Sequence, residues 1–598
     1  MGRRGGAGGR LRMGRRGGAG GRLRAGRRGG AGRALGALCA LAALAAPLAA
    51  GCRVVLKTTD LVASGNSREL RKRDKGEPPN SPGRPPLLVI GLDGVGRRTL
   101  YDMLRRGEMP RFAELLGGQA GGKFPHAHLD DRLVATMPSS TIAAWTTAFT
   151  GVGPARHGVA GNEFFVREER AFEAPSPTTF NDPASVLSVY TDSALTTLRR
   201  SPTVYERMRE KDPHVLVWAA MHPVHAGADR LLVTTRTALV DAFEAFAEEQ
   251  VDKRLKDEES EALYETFDKN VVRAAADELD DDGPLPDVLA VYLSGADLFA
   301  HVAEQGPERA QREYMKKVLD PLLGRLTEAL KERGALANRY VLVTADHGHT
   351  EVLRDDAHAL AMEGDDDPPA LLRKAGFRLR PFKVKVDRDD DFQAVLAYQG
   401  AVAYVYLADR STCEAKGKPC DWTRPPRFRE DVLALADAFH RNNLDGSLVP
   451  AMRGTLDLVL AREPRPAEDD DLPFQVYVGG GRLQPLGAYL AEHPHPTYVD
   501  LEARLADLAV GRYGERAGDV LLVAHNGDRD RPQDRFYFSA TYRSWHGSPS
   551  RQDSEIPLIV AHPGKDSAAL AAEVSRVLGD RPAQQKFADV MLALRGLL

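Results

Sequence analysis

Three aspartates and three histidines lie after or between short apolar runs, within the motifs GLDGVG, SGADLFAH, TADHGH and SWHGS. In a parallel sheet, functional side chains gather at the carboxyl ends of the strands, where the loops converge. Carboxylates and imidazoles together form a mixed oxygen and nitrogen ligand set that suits zinc or manganese. The candidate metal ligands are Asp93, Asp297, His301, Asp346, His347 and His546.

Each of these residues has a plainer explanation when it is taken alone. An aspartate after a strand is commonly a turn or helix-cap residue, and a lone histidine is more often structural than a ligand. Three carboxylates and three imidazoles from separate strand ends are hard to attribute to folding alone. The set as a whole therefore predicts a metal site.

A cluster of hydroxyl side chains, Pro138-Ser139-Ser140-Thr141, precedes the apolar run Ile142–Phe149. Serine and threonine suit a helix N-cap, which is the structural interpretation of Thr141. A helix N-terminus also offers backbone N–H groups and a positive dipole to an anion, and a hydroxyl placed there can attack that anion. The two interpretations are compatible with each other.

Apolar runs of five or six residues recur along the chain and are typical of strands buried on both faces of a parallel sheet. Segments with helical periodicity alternate with them, and this alternation predicts an α/β sandwich. The runs are Leu87–Leu92, Val215–Ala219, Val288–Leu293, Tyr340–Thr344, Val520–Ala524 and Pro557–Ala561, and the helical segments include Pro110–Leu116, Glu308–Arg333 and Phe587–Leu598.

The stretch 364–512 breaks this alternation with acidic runs, many prolines and short strand-like pieces. We expect it to form a smaller inserted subdomain that shapes the substrate site, while 87–363 and 513–598 form the main domain. Residues 52–86 are polar and carry a basic cluster and several prolines, so we expect a disordered tether there.

The segment 1–51 holds eleven arginines and no acidic residue, and it repeats MGRRGGAGGRLR twice before a degenerate third copy. Such Gly/Arg repeats cannot bury a core. One interpretation is an arm that binds RNA. The other is the long basic region of an export signal, which fits the uncharged run 34–50 that follows it. Translation could start at Met1 or at Met13.

The residues Leu48-Ala49-Ala50-Gly51-Cys52 are similar to the cleavage box of bacterial lipoproteins, in which the cysteine becomes lipidated. The strongest form of that box has leucine where Ala49 stands, so cleavage without lipid and an uncleaved anchor stay open. The pair Arg27-Arg28 is a weak signal for twin-arginine export. We therefore expect an exported protein of the bacterial periplasm or cell surface, anchored in the membrane through Cys52.

The cysteines, the composition and the net charge narrow the class of protein further. In an oxidising compartment Cys413 and Cys420 can close a disulfide. With 43% hydrophobic and 28% charged residues, the 598-residue chain is neither a disordered tail nor a polytopic membrane protein. Outside 1–51 the chain carries 70 basic against 84 acidic residues, a net charge of -14. Such a body would repel a polyanion, so polymeric nucleic acid is excluded as the expected partner.

The order of motifs resembles the type I phosphodiesterase/nucleotide pyrophosphatase family of the alkaline phosphatase superfamily. In that family a metal-binding aspartate follows the first strand, and a Pro-Thr-x-Thr-type segment, a His-Gly and an Asn come next. Here PSST, TG, PARHG and GN occur in that order, and the resemblance covers residues 87 to 598 apart from the insertion. Its later motifs are Asp297-x-x-x-His301, Asp346-His347-Gly348 and His546-Gly547.

The resemblance implies an alkaline-phosphatase-like three-layer sandwich with a mostly parallel central sheet and an inserted smaller subdomain. It also implies two divalent metal ions, zinc with manganese as the alternative. One ion would be held by Asp93, Asp346, His347 and the Thr141 oxygen, and the other by Asp297, His301 and His546.

The resemblance makes Thr141 the nucleophile of a phosphate-ester hydrolase that prefers small phosphodiesters or pyrophosphate bonds and forms a phospho-threonine intermediate. A hydroxyl bound to a metal becomes an alkoxide, and two metals clamp the attacking and leaving oxygens of an in-line displacement. Asn162 and the Thr141 backbone N–H would donate hydrogen bonds to a non-bridging oxygen as charge builds on it.

Several residues depart from the family pattern or compete with these assignments. Ile142-Ala143-Ala144 stands where the family has Phe-Pro-Asn, so a slot that stacks a nucleotide base is not evident. Ser140 is a competing nucleophile. We expect a surface or hydrogen-bonding role for His349, with an extra metal ligand as the alternative, and we expect His222 and His225 to line the pocket without binding metal.

Three other functions remain to be weighed against the diesterase. A phosphomonoesterase or phosphotransferase could use the same metal platform, but no Arg or Lys beside Thr141 supplies the extra positive charge that monoesters need. A sulfatase is disfavoured because there is no Cys/Ser-x-Pro-x-Arg segment. A non-catalytic binding protein of the same fold would be expected to have lost ligands, whereas all seven positions remain here.

Overall fold

The computed structural model describes residues 67–74, 76–178, 183–191, 194–232, 257–360, 366–387, 391–415, 417–464, 472–527 and 531–598. The chain divides into the units Met1–Thr59 and Asp60–Leu598, and every described residue belongs to the second unit. The expected leader, the alternative start Met13 and the expected lipid site Cys52 lie outside the described residues.

The strands follow the apolar runs of the sequence. In chain order the described strands are β1 Ser67–Glu69, β2 Leu87–Leu92, β3 Ala127–Asp130, β4 Phe164–Val166, β5 Ala171–Glu173, β6 Val217–Ala220, β7 Arg230–Leu232, β8 Val288–Leu293, β9 Tyr340–Ala345, β10 Thr350–Glu351, β11 Ala394–Tyr398, β12 Val402–Leu407, β13 Leu456–Ala461, β14 Gln475–Tyr477, β15 Leu483–Pro485, β16 Val520–Ala524, β17 Ser544–Trp545 and β18 Leu558–Ala561.

Among the described residues, eight of these strands form one large sheet in the order β1-β7-β6-β8-β2-β9-β18-β3. In this order the five neighbouring strands β7, β6, β8, β2 and β9 run parallel to one another. Strands β1, β18 and β3 pair antiparallel with their neighbours. Every residue of β2, β8 and β9 is buried, as their continuous apolar sequences predict. The expected mostly parallel central sheet is confirmed.

Helices occupy both sides of this sheet. In chain order the described helices are α1 Arg97–Arg105, α2 Pro110–Leu115, α3 Thr141–Thr150, α4 Pro154–His157, α5 Pro183–Thr191, α6 Ala194–Leu198, α7 Val204–Lys211, α8 Asp257–Asp280, α9 Gly295–Val302, α10 Pro307–Tyr314, α11 Asp320–Glu332, α12 Pro368–Lys374, α13 Ala434–Asp445, α14 Leu486–Glu492, α15 Leu501–Ala509, α16 Arg551–Ser554, α17 Ser567–Leu578 and α18 Lys586–Leu594.

Two groups of helices make up the outer layers. In one group α8 packs on α9 and α11, and α11 packs on α2. In the other group α18 packs on α3, α7 and α17. Helix α3 lies close against the sheet, because a β-carbon at Gly91 in β2 would stand only 2.8 Å from the ring of Trp145. The α/β sandwich expected from the alternation of patterns is therefore present.

A second sheet of six strands forms in the described part of the chain, in the order β11-β12-β16-β13-β14-β15, with antiparallel pairing throughout. Its strand β16 is the run Val520–Ala524, which was predicted to belong to the parallel sheet. That prediction was wrong. β18, the predicted strand Pro557–Ala561, does join the large sheet but runs antiparallel. A strand covered on both faces is continuously apolar in either kind of sheet, so its sequence does not reveal its partners.

The segment expected to be a disordered tether is partly folded. Within it, β1 pairs with β7, and Arg73 donates hydrogen bonds to the carbonyl oxygens of His214 and Val215. The prediction of disorder was wrong for these residues because it was based on their polar composition. A charged side chain such as that of Arg73 can hold a segment against the folded chain through hydrogen bonds, without burying apolar surface. Cys413 and Cys420 form the expected disulfide. Among the described residues, no helix is long and apolar enough to cross a membrane.

Candidate active site

The carboxyl ends of three central strands bring the first candidate residues together. Leu92 at the end of β2 aligns with Leu293 of β8 and with Ala345 of β9. Asp93 and Asp346, which each follow one of these strands, therefore emerge at one edge of the sheet. The backbone N–H of Asp93 donates to the Leu293 carbonyl oxygen at 3.0 Å, which continues the sheet pairing to the site.

One group of possible ligands contains Asp297, His301 and His546, whose ligand atoms all lie within 4.8 Å of one another. Asp297 and His301 are one turn apart on α9, and their Oδ2 and Nε2 atoms are 3.5 Å apart. His301 Nδ1 lies 2.8 Å from the Ser544 carbonyl oxygen, and His546 Nδ1 lies 3.1 Å from that of Ser139. The hydrogen bond of each Nδ1 to a backbone carbonyl oxygen orients the ring, and Nε2 is the nitrogen through which each ring could bind a metal ion.

A second group contains Asp93, Asp346 and His347, with the same 4.8 Å limit on its ligand atoms. The N–H groups of Gly94 and His347 donate to Asp346 Oδ1 at 3.0 and 2.9 Å. The Tyr292 hydroxyl donates to Asp93 Oδ2. One oxygen of each carboxylate therefore has a hydrogen-bond donor.

The other two oxygens, Asp93 Oδ1 and Asp346 Oδ2, are buried without a hydrogen-bond partner. Burial, followed by repulsion from Asp346 and Asp297, raises the pKa of Asp93 well above its ordinary value. Burial also raises the pKa of Asp346. Two neighbouring carboxylates in the interior are costly, and a divalent cation would supply the opposite charge and bind the oxygens that accept no hydrogen bond. The residues present therefore fit a metal ion.

The imidazoles of the first group are held in the form that binds metal. Burial lowers the pKa of His301 to about 3 and lowers that of His546 well below its ordinary value. Burial raises the pKa of Asp297, but the nearby His301 and His349 outweigh it, and that pKa falls below its ordinary value. Neutral imidazole nitrogens and an ionised carboxylate are the donors that zinc binds.

Thr141 is the first residue of α3, and its Oγ1 lies 3.2 Å from His347 Nε2. The alternative of Thr141 as N-cap is wrong, because Ser140 occupies the cap position in extended conformation. The Ser140 hydroxyl is fully buried and has no partner, and that of Ser139 donates to the Ser548 carbonyl oxygen. Of the three hydroxyls, only the partly exposed Thr141 contacts a candidate ligand.

Asn162 lies beside this helix start. Its Oδ1 accepts the Ile142 N–H at 3.0 Å, which leaves the amide nitrogen as a donor next to Thr141. The motif PARHG positions this loop, because His157 Nε2 lies 3.0 Å from the Thr147 hydroxyl of α3. His157 is buried, and burial lowers its pKa to about 3, so it serves packing.

His349 proves to be an interior residue. Its Nε2 lies 2.7 Å from Asp297 Oδ1, and its Nδ1 lies 3.0 Å from the Ser544 hydroxyl. The side chain is 1% exposed, so the expected surface role is wrong and the hydrogen-bonding role is confirmed. It also stands with Asp297 and His347 in a further group that could hold a metal ion.

The two remaining histidines are part of the core. His222 packs against the rings of Trp145, Phe149 and Tyr292. Burial lowers its pKa to about 3. His225 Nδ1 lies 2.8 Å from the His222 carbonyl oxygen. Neither of the two stands in a candidate metal group of the described residues.

Comparison with known proteins decides the family. The sequence model of the family described as type I phosphodiesterase / nucleotide pyrophosphatase matches residues 87–418, more than half of the chain. The chain belongs to this family. The match places it in the alkaline phosphatase superfamily, and it includes strands β11 and β12, which lie in the expected insertion. No curated protein sequence matches the chain.

Solved structures similar to this member of the family include two hydrolase types. Murine ectonucleotide pyrophosphatase / phosphodiesterase 5 is 12% identical, with 86% of this chain and 95% of that chain covered and a TM-score of 0.46. The human protein of that name is 13% identical, with 86% and 95% covered and a TM-score of 0.43. Phosphonoacetate hydrolase from Sinorhizobium meliloti 1021 is 15% identical, with 88% and 100% covered and a TM-score of 0.42.

Proposed function

We propose that this chain is a two-metal hydrolase of phosphate esters, with phosphodiesters and pyrophosphate bonds preferred, and with Thr141 as its nucleophile. One observation carries the proposal. The Thr141 hydroxyl lies 3.2 Å from His347, in the group with Asp93 and Asp346, and the His347 ring stacks on His546 of the other group at 3.7 Å. The hydroxyl thus contacts one group that could hold metal, through the residue that packs on the other group.

Seven side chains would hold the two ions. Two bound divalent ions, zinc or manganese, would make the ligated hydroxyl a nucleophile at neutral pH and neutralise charge on the phosphoryl oxygens. The ligands of one ion would be Asp93, Thr141, Asp346 and His347, and those of the other would be Asp297, His301 and His546. The buried, unpartnered oxygens of Asp93 and Asp346 support this assignment.

The chain's own groups account for the displacement. Thr141 Oγ, having lost its proton to solvent, forms a bond to phosphorus, and the bond from phosphorus to the leaving oxygen breaks. The leaving oxygen takes a proton from water, and a phospho-threonine remains. Water then attacks the phosphorus, and Thr141 Oγ leaves and is protonated again. Asn162 Nδ2 and the Thr141 backbone N–H donate hydrogen bonds to the non-bridging oxygen as its charge rises.

The preference for diesters follows from the charges around the nucleophile. Within the described residues, the side-chain hydrogen bonds of Thr141 and Asn162 go to His347 and to the Ile142 N–H. Neither residue is bonded to a lysine or an arginine there. A monoester presents one more anionic oxygen than a diester and needs a further cationic group, so the site suits the diester.

The location of the enzyme is part of the proposal. We place it outside the cytoplasm, in a bacterial periplasm or at the cell surface, with a lipid on Cys52 as anchor. The leader sequence supports export, and the disulfide between Cys413 and Cys420 is a feature of proteins that fold in oxidising compartments. The net charge of -14 outside the leader supports small phosphoesters as substrates over nucleic acid polymers.

Two chromogenic esters test the proposal. Purified residues 53–598 loaded with zinc should hydrolyse a bis-aryl phosphate faster than a mono-aryl phosphate. Thr141→Ala should reduce turnover at least about 1000-fold while zinc stays bound, because the nucleophile is lost. Ser140→Ala, the matched control, removes the neighbouring hydroxyl and should keep wild-type turnover. Full activity of Thr141→Ala would disprove the nucleophile, and faster monoester hydrolysis would assign the enzyme to the phosphomonoesterases.

A further inference from the structure

The turn between β11 and β12 reaches the candidate active site from the second sheet. It consists of Gln399, Gly400 and Ala401, between Tyr398 at the end of β11 and Val402 at the start of β12. The Gln399 N–H donates to the Val402 carbonyl oxygen at 2.7 Å, which closes the turn. The Gln399 side chain is 1% exposed and points into the protein.

On one side the turn holds the backbone of Asn162. Gln399 Oε1 accepts the Asn162 N–H at 2.8 Å, and Gln399 Nε2 donates to the Glu163 carbonyl oxygen. Both polar atoms of the side-chain amide are used, one as acceptor and one as donor. A β-carbon at Gly161 would overlap this amide, so the close contact with Gln399 leaves no room for a side chain at that position.

Glu163 holds the turn in return. Its buried carboxylate accepts the Tyr398 N–H at 2.7 Å and the Thr178 N–H at 3.0 Å. The Thr178 hydroxyl donates to the Tyr398 carbonyl oxygen at 2.8 Å. The side chain of each segment therefore bonds the backbone of the other, and the two segments are fixed relative to each other.

On its other side the turn touches the loop that carries His546. The Ala401 N–H donates to the His546 carbonyl oxygen at 3.0 Å. A β-carbon at Gly400, which has a φ of +78°, would fall on that same oxygen and on the indole nitrogen of Trp545. A β-carbon at Gly547 would fall on the Gln399 carbonyl oxygen. The contact leaves room for glycine alone on both sides.

From these contacts we infer that Gln399 is a positioning residue that sets the distance between Asn162 and the metal group of His546. The inference rests on the proposed function, in which Asn162 donates to the phosphoryl oxygen and His546 binds metal. Glutamine fits because the backbone at Asn162 and Glu163 offers one donor and one acceptor. A glutamate at this position would place a carboxylate oxygen against the Glu163 carbonyl oxygen and repel it.

The test uses two substitutions in the purified zinc-loaded protein. Gln399→Glu keeps the shape and loses the donor, and Gln399→Ala removes both hydrogen bonds. Each should lower kcat for the bis-aryl phosphate about 10- to 100-fold, with KM within about threefold and zinc content unchanged. Gln393→Ala is the matched control, because Gln393 is a buried glutamine just before β11, at the end of the strand away from the turn, and its kcat should stay at the wild-type value.

A double-mutant cycle separates positioning from a general loss of stability. If Gln399 acts through Asn162, Gln399→Ala should cause no further loss of kcat in an Asn162→Ala background. An equal loss in both backgrounds would overturn the inference, as would wild-type kcat in Gln399→Glu. If Gln399→Ala fails to fold, the near-isosteric Gln399→Glu carries the same comparison.

Orthovanadate, a mimic of the phosphoryl transition state, gives a readout besides turnover. Its dissociation constant should rise about tenfold in both Gln399 variants and in Asn162→Ala, and should stay unchanged in Gln393→Ala. If the wild-type protein binds vanadate and the Gln399 variants bind it equally well, the positioning role fails while the proposed function stands. If the wild-type protein binds no vanadate and hydrolyses neither ester, the proposed function fails, and the positioning role fails with it.

Discussion

His347 and His546 stack with their ring centroids 3.7 Å apart, although they belong to the two different Asp/His groups. The rings are 17° from parallel. Each ring packs directly against a residue of the other group, so this pair of rings is the boundary between the two groups. The Thr141 hydroxyl lies at this boundary, 3.2 Å from His347 Nε2. Metal binding at one group should therefore depend on the other group.

Removal of the His347 ring should reduce the zinc content of the protein more than removal of the His546 ring. His546→Ala deletes a ligand of one group and should leave about one zinc ion per chain. His347→Ala should lower the content further, because His347 stands in two of the possible ligand groups. His440→Ala, a half-buried histidine beside Tyr477, is the control and should keep the wild-type content. The metal content of dialysed protein measures this, and wild-type content in His347→Ala would contradict the assignment.

Asp93→Asn should separate stability from metal binding. In metal-free protein, burial and the neighbouring carboxylates raise the pKa of Asp93, so its charge opposes folding at neutral pH. We expect the substitution to raise the free energy of unfolding of metal-free protein by about 1–3 kcal/mol, because an uncompensated buried charge is removed. With zinc present the order should reverse, since the variant lacks a ligand.

Urea unfolding at pH 7, with and without a chelator, measures both parts of this prediction. The sign follows from linkage. A carboxyl whose pKa is raised on folding stabilises the fold when protonated, and that stability is lost as the pH rises from its ordinary pKa towards the raised one. The contribution of Asp93 to the stability of metal-free protein should accordingly fall between pH 5 and pH 7, so Asp93→Asn should gain more stability relative to wild type at pH 7 than at pH 5. An unchanged pH dependence would show that Asp93 is not the group responsible.

Most of the candidate ligands could be picked out from the sequence because they follow a segment with a clear pattern, whereas His546 follows no such segment. Asp93 and Asp346 come straight after continuous apolar strands, and Asp297 and His301 have the spacing of one helical turn. Strand identity was visible in the apolar runs, whereas strand partners were not, so β16 was assigned to the wrong sheet. Pairing is decided by packing across the whole chain.

The supporting residues left no local signal. Gln399 bonds Asn162 across 237 positions, and a single glutamine at the end of an apolar strand matches no motif. The Tyr292 hydroxyl donates a hydrogen bond to Asp93. Tyr292 lies in strand β8, however, and the apolar sequence of that strand predicts burial and no role in the site. These contacts form where segments far apart in the sequence pack together in the folded chain. Neither segment alone shows which other segment it will contact. Gly400 and Gly547 are glycines because a β-carbon at either position would overlap the facing segment, but the sequence alone does not show that.

Substitution of Cys52 should test the anchor. If Cys52 carries lipid, full-length protein expressed in a bacterium should fractionate with membranes and incorporate labelled palmitate. Cys52→Ser should then lose the label, because a hydroxyl is not the acceptor of this modification. Cys39→Ser is the matched control, since Cys39 lies within the uncharged run and should leave the labelling unchanged. Labelled Cys52→Ser protein would rule out lipidation at this cysteine.

His525 should give the protein a measurable pH dependence away from the active site. Its Nδ1 lies 2.5 Å from Asp457 Oδ1, and Asp457 Oδ2 also accepts hydrogen bonds from the Tyr498 hydroxyl and the Asn526 N–H. The hydrogen bond to Asp457 raises the pKa of His525 above its ordinary value of about 6.5. The stability that this pair contributes is therefore full below pH 6.5 and is lost as the pH rises through the raised pKa.

His525→Gln should thus destabilise the protein more at pH 5.5 than at pH 8.5. The His525 side chain is 39% exposed, so solvent screening limits the difference to about 0.5–1 kcal/mol. His440→Gln is the matched control with the opposite sign, because burial lowers the pKa of His440 and its protonation opposes folding at low pH. Urea unfolding at the two pH values measures both variants. Equal destabilisation of His525→Gln at both would show that the pair with Asp457 does not depend on the charge of the imidazole.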